Sequence, residues 1–166
     1  TIALAVSTNA QFVREIFTGT YASDMGIWSP NAGEAMRYRN SLGRKDIQMY
    51  YNISAEFAYS LDRRSISERA ESTVFSSIPD AVLVSGQITG QSAKLEEIKQ
   101  VSKIIPNTPV LANTGVNLDN VEEIFKVTDG VIIGSSLKIN GNTWKNVDLN
   151  RAKKFMTKVK SIRKNA

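Results

Sequence analysis

The stretch Pro109–Lys138, PVLANTGVNLDNVEEIFKVTDGVIIGSSLK, carries the groups best suited to holding an anion. Two apolar runs, Pro109–Asn113 and Gly130–Gly134, each end in small polar residues: Thr114-Gly115-Val116 after the first, Gly134-Ser135-Ser136 at the second. Glycine lets the backbone come close to a bound group. Amide N–H groups at these loops can then donate to phosphate oxygens, with the hydroxyls of Thr114, Ser135 and Ser136 as further donors. The runs begin about 21 residues apart, which leaves room for one compact helix between two strands. In phosphate-binding α/β barrels the loops after the last two strands, with a short helix N-terminus, make an anion pocket of this kind. The plainer alternative is that these glycines only end strands. Two such ends, at this spacing and each following an apolar strand, are more specific than a lone Gly-Ser pair and favour phosphate or phosphosugar binding. Lys138, just beyond, either screens phosphate charge or is solvated.

The chain has no histidine and no cysteine. That removes the commonest general base, thiol nucleophiles, disulfides and thiolate metal sites. Carboxylates, lysines and tyrosines remain. Glu15 interrupts the apolar run Phe12–Phe17; alternate residues of a barrel strand face the interior, and Glu15 is expected there. Its role is open between a catalytic carboxylate and an ion-pair partner of Arg14 or a lysine. The loop after that run, Thr18–Gly26, supplies Asp24 as a second candidate. Asn52, near the end of the run Ile47–Ile53, is the third group expected where chemistry would occur; Glu56 is a weaker one. A further polar loop, Ser85–Gly90, follows the run Ala81–Ser85. Loops at the C-terminal ends of parallel strands lie on the ligand side of such sheets, so these are expected to converge on one face. No spacing of carboxylates marks a metal site, and no cofactor is implied.

These residues need a scaffold, and the apolar pattern supplies one. Phe12–Phe17, Ile47–Ile53, Ala81–Ser85, Pro109–Asn113 and Gly130–Gly134 read as strands, with AVLVS and GVIIG almost continuously aliphatic, as in a covered parallel sheet. Between them run helical patterns. Ile2–Val6 ends one helix and Ala32–Leu42 forms another; Ile66, Ala70, Val74 and Ile78 share a face. Leu95, Ile98, Val101 and Ile105 follow Ser92 as N-cap, Leu118, Val121 and Ile124 follow Asn117, and Leu149, Ala152, Met156 and Val159 follow Asp148. The alternation predicts one α/β domain over 1–166, with parallel strands joined by right-handed crossovers. Five strands fit either an open flavodoxin-like sheet or part of a TIM-type (β/α) barrel, whose complete form takes about 250 residues. Periodicity leaves both open.

The net charge of +5 over 166 residues has a local origin. From Leu149 onward there are seven basic side chains and no acidic one, leaving 14 basic against 16 acidic before it. That is a solvated helix face complementing its own dipole rather than a nucleic-acid stripe with interleaved aromatics. No apolar run approaches the about 20 residues of a membrane span, and nothing resembles a signal peptide. A cytoplasmic location is expected, with no nucleic acid and no membrane span.

The run Phe12–Gly26, then Arg37-Tyr38-Arg39, Val84-Ser85-Gly86 with Thr89-Gly90, Thr114-Gly115-Val116 and Gly134-Ser135-Ser136-Leu137-Lys138 together resemble the BtpA/SgcQ family. The similarity runs in order as far as Val147-Asp148 and the final helix. It implies a barrel of the ribulose-phosphate-binding type, of which this chain resembles strands four to eight, and so favours the barrel over the flavodoxin-like sheet. The missing units are then expected from further chain, another polypeptide or a self-associating copy, since an open segment exposes sheet edges. Family members are linked to photosystem I biogenesis in phototrophs and, by inference, to sugar or nucleoside metabolism elsewhere. The resemblance thus implies a protein binding a phosphorylated sugar or nucleotide-like molecule, as an isomerase, lyase or nucleosidase, or as a non-catalytic assembly factor of the same fold. One departure bears on activity. Where the family carries an Asp-x-His-x-Lys-His run, this chain has Asn52-Ile53-Ser54-Ala55-Glu56-Phe57.

Overall fold

The computed structural model describes residues 1–164. In chain order the first elements are α1 (Ile2–Ser7), β1 (Phe12–Glu15), β2 (Tyr21–Ser23), β3 (Gly26–Trp28), α2 (Ala32–Ser41), β4 (Gln48–Asn52) and β5 (Ala58–Ser60). Then come α3 (Ile66–Ser77), β6 (Ala81–Ser85), α4 (Leu95–Ile104), β7 (Val110–Asn113), α5 (Val121–Phe125), β8 (Gly130–Ile132) and α6 (Leu149–Lys164). The main sheet runs β1-β4-β6-β7-β8, every pair parallel. Its strands follow one another in chain order, whereas a flavodoxin-like sheet reverses direction as 2-1-3-4-5. Crossovers of one hand between consecutive strands put every helix on the same side and leave the other side concave. The fold is a five-strand part of a TIM-type barrel, and the flavodoxin-like alternative falls away.

Register shows which residues face which way. Val13 pairs with Met49, Tyr51 with Val82, and Val82 with Val110. These side chains face the helices. Val13, Met49 and Tyr51 pack with Ile2 and Ala5 of α1, while Val82, Val84 and Val110 pack with Ile98 and Val101 of α4 and Val121 of α5. Each such side chain, fully buried, contributes about 1.5–3 kcal/mol. The other series lines the concave side: Arg14 opposite Tyr50, Asn52 opposite Leu83, and Ser85 opposite Asn113 opposite Ile132. Phe12 and Tyr50 stack there with ring centroids 4.8 Å apart.

This phase corrects the expectation for Glu15. Its partner is Tyr51, so it shares the helix-facing series with Val13, and Arg14 takes the concave side. Nor is Glu15 in an ion pair among the described residues; its Oε1 accepts from the N–H of Ile16 at 3.0 Å. The loop expected over Thr18–Gly26 is also partly strand. β2 pairs antiparallel with both β3 and β5, giving a small three-stranded sheet at the end of β1.

Helix ends follow local chemistry. Asn31 caps α2, accepting from the Glu34 N–H at 3.0 Å. Ser65 and Glu68 form a capping box on α3. Asp148 caps α6 as expected, accepting from the N–H groups of Asn150 and Arg151. Ser92 does not cap α4, which starts after Lys94; its hydroxyl instead donates to the Gly115 carbonyl at 2.9 Å. Ile78 leaves the α3 stripe: it is the left-handed C-cap residue and is exposed. In α6 the buried stripe runs through Phe155 and Val159, with Leu149 and Met156 turned outward.

Tyr51 is fully buried, its hydroxyl has no hydrogen-bond partner among the described residues, and burial pushes its pKa up. Tyr51→Phe removes that unpaired group. Urea denaturation is expected to show equal or higher stability, by up to about 1 kcal/mol. A clear loss would mean the hydroxyl has a partner in solution.

Candidate functional site

The loops after β7 and β8 meet. Thr114, Gly115, Val116, Gly134, Ser135 and Ser136 all line one cavity of about 650 Å³ at the C-terminal ends of the parallel strands. Thr114 and Gly115 are both left-handed, at φ +69° and +63°. For a β-branched threonine this conformation costs about 1–3 kcal/mol. The Thr114 hydroxyl anchors it, donating to the Gln91 carbonyl at 2.8 Å and accepting from the Gly86 N–H at 2.7 Å. Gly115 is demanded by close approach as well: a Cβ there would stand 2.2 Å from the Ser92 nitrogen.

The donors are distributed differently from the expectation. The Thr114 proton is spent on Gln91, and the Ser136 hydroxyl donates to the Val116 carbonyl at 2.8 Å, tying the two loops together. Ser135 Oγ pairs with Thr143 Oγ1 at 2.8 Å. By contrast, among the described residues no acceptor takes the amide N–H groups of Gly115, Gly134, Ser135 or Ser136. What the loops offer an anion is backbone.

Three cations line the same cavity: Arg14, Lys138 and Arg151. Lys138 Nζ is committed to the Thr143 carbonyl, and Arg151 Nε to the Ser136 carbonyl at 2.7 Å. Arg14 has no such commitment among the described residues. From the sequence, Arg14 was expected only as an ion-pair partner of Glu15; once Val13 is fixed in the core, alternation sends its neighbour to the concave face. Arg151 was hidden within the basic run of α6. Lys158 and Arg163 of that run are also engaged, Lys158 Nζ with the Leu118 carbonyl at 2.9 Å and Arg163 over the Phe125 ring at 5.5 Å.

The carboxylate of Glu56 joins this cavity, as do Thr89 and Gly90. Its Oε2 accepts from Thr89 Oγ1 at 2.8 Å, and Oε1 from Asn113 Nδ2 at 3.4 Å. Asn113 Nδ2 also donates to Ser85 Oγ at 2.7 Å. Glu15 and Asp24 lie outside this cavity. With Glu56 they line a neighbouring one of about 420 Å³ under the β2–β3 hairpin. Asn52 is buried behind the mouth, its Oδ1 unpartnered among the described residues. Thr18 and Gly19 turn away toward α3, where Thr18 Oγ1 is 3.4 Å from Thr73 Oγ1, so that loop divides rather than converging whole. Among the described residues there is no cluster of acidic side chains suited to a metal ion, and no helix is long and apolar enough to cross a membrane.

Comparison with known proteins places this geometry. The BtpA family model matches residues 1–161. The chain is 44% identical over 161 residues to the sgc region protein SgcQ of Escherichia coli, covering 97% of this chain and 60% of that protein. It is 30% identical to the photosystem I biogenesis protein BtpA of Synechocystis, over 93% of this chain and 54% of that one. The chain thus spans less than two thirds of the length of these relatives. Among solved structures, the phosphoribosyl anthranilate isomerase of Thermococcus kodakaraensis superposes with a TM-score of 0.59 at 18% identity, over 99% of this chain and 68% of the other. At that identity the likeness shows the fold alone.

Proposed function

The chain belongs to the BtpA family, and from that premise we propose that it binds the phosphate of a phosphorylated sugar or nucleotide-like small molecule at the mouth of its half-barrel. One observation carries the reading: backbone N–H groups of two loops, at Gly115 and at Gly134–Ser136, that have no partner among the described residues border a single cavity that Arg14, uncommitted among the same residues, also lines. Preorganised amides and a cation are what a phosphate needs, because they cost no rearrangement on binding. Carboxylate chemistry in this arrangement falls to Glu56, which lines the phosphate-loop cavity, with Glu15 and Asp24 in the neighbouring cavity and Asn52 buried behind the mouth; isomerisation, elimination and glycosidic cleavage are all open to such groups. The remaining barrel strands, needed to pair the edges of β1 and β8, come from further chain or from a partner.

A second reading keeps the binding and drops the reaction. The end of β4 and the stretch after it offer Asn52, Ser54 and Glu56, with no imidazole or ammonium group, so a non-catalytic assembly factor of the same fold has that observation in its favour. Crystals soaked in inorganic phosphate or ribose 5-phosphate test the binding. Density at the Gly115 and Gly134 loops is the expected result, and density only elsewhere ends the claim. Thermal shift separates the two readings: a ligand at 100 times its Kd stabilises by about 2.7 kcal/mol whether or not it is turned over. Stabilisation with no product favours the assembly factor.

A further inference from the structure

Glu56 stands at a junction. It lines the phosphate-loop cavity and also the neighbouring cavity beneath the β2–β3 hairpin. The second cavity differs in character. Buried Tyr21 contributes to it, and Ile27, Trp28 and Phe57, each about half exposed or more, form apolar wall. Glu15 and Asp24 add acceptors, and neither of them nor Glu56 is in an ion pair among the described residues.

We infer that the two cavities form one composite site for a nucleoside monophosphate, with the phosphate at the Gly115 and Gly134 loops, the sugar beside Glu56 and the nitrogen heterocycle under the β2–β3 hairpin. The inference deepens the phosphate reading and rests on it for one end of the ligand. The chemistry of each part selects its occupant. Aromatic and aliphatic walls favour a flat ring, which gains by stacking on Trp28. Unpaired carboxylates accept from ring and exocyclic N–H groups, which a hydrocarbon ring lacks. Glu56 keeps lone pairs free after accepting from Thr89 and Asn113, so sugar hydroxyls passing between the cavities meet an acceptor already held in place. A bare sugar phosphate would fill the first cavity and leave the apolar walls of the second wet.

Calorimetric titration of the protein with inorganic phosphate, ribose 5-phosphate, adenosine 5′-monophosphate and adenosine tests this. The monophosphate is expected to bind at least about tenfold more tightly than ribose 5-phosphate, a margin of one ring stacked and hydrogen-bonded. Trp28→Ala should bring those two ligands to parity while inorganic phosphate binds unchanged, and Trp28→Phe should restore the margin. Glu56→Gln should weaken ribose 5-phosphate but not inorganic phosphate. Equal affinity for the monophosphate and ribose 5-phosphate in the unaltered protein overturns the composite site, as does a margin that survives Trp28→Ala. The phosphate reading fails separately: if inorganic phosphate and ribose 5-phosphate do not bind but adenosine does, in a Trp28-dependent way, the heterocycle cavity stands and the anion loops do not. If none of the four binds, both fall.

Discussion

Gly115→Ala is expected to abolish phosphate binding and to lower stability by about 2–4 kcal/mol, at the high end for one added methyl group. Two costs combine. The residue holds φ +63°, where a Cβ is strained whatever surrounds it. In addition the new carbon would lie 2.2 Å from the Ser92 nitrogen and 2.5 Å from the Gln91 carbonyl carbon. Those are backbone atoms, so no rotamer change relieves the clash; the segment before α4 has to shift. That segment is tied to the loop on both sides, through Ser92 Oγ to the Gly115 carbonyl and through Thr114 Oγ1 to the Gln91 carbonyl. Moving it disturbs together the amides proposed to hold the anion. Gly134→Ala makes the informative contrast, since a Cβ there meets nothing within 4 Å. It should cost less stability than Gly115→Ala, while a methyl group at the cavity wall weakens phosphate about tenfold. Urea denaturation and phosphate titration on the two variants separate folding from binding. Unimpaired phosphate binding by both would remove these loops from the site.

The contrast also shows which parts of the molecule were legible in the residues alone. The five parallel strands and the pairing of the Gly115 and Gly134 loops were legible because short unbroken aliphatic runs such as Ala81–Ser85 suit strands covered on both faces, and small polar residues follow them at regular spacing. β1 was harder. FVRE places an exposed phenylalanine on the concave side, so hydrophobicity alone did not reveal that Val13 sets the phase and that Glu15 therefore faces the helices. β2 and β3 were hidden because three-residue strands give no period to read, and Gly26–Trp28 has no buried position at all. Ser92 looked like a cap because its type and distance from Leu95 suit one. Its real partner, the Gly115 carbonyl, is 23 residues away, and no local pattern encodes that contact. The same limit applies to Glu56, whose place between two cavities depends on Thr89, in the loop after β6, and Asn113, at the end of β7, both more than 30 residues away.

Arg14→Glu is expected to reduce phosphate affinity by about 100-fold while leaving the fold intact. The residue is exposed on an edge strand, and neighbouring Val13, not Arg14, supplies the packing. Of the three cations lining the cavity, Lys138 is engaged by the Thr143 carbonyl and Arg151 of α6 by the Ser136 carbonyl, so among the described residues Arg14 is the one left uncommitted for an incoming anion. Reversal removes an attraction and adds a repulsion. Near a protein surface each unit-charge interaction at contact distance amounts to about 4 kcal/mol before exposure and salt reduce it, so a combined effect near two decades is moderate. Arg14→Met isolates the first half, and about a tenfold loss is expected. A purely protective role is the natural objection, because charged residues on edge strands prevent sheets from pairing edge to edge. The two roles separate on salt. A phosphate-binding guanidinium makes affinity fall as ionic strength rises, and Arg14→Met should flatten that slope. An edge guard leaves the slope alone, and its loss shows in light scattering instead. Wild-type phosphate affinity in Arg14→Glu would assign Arg14 to the edge and leave the amides as the only hold on the anion.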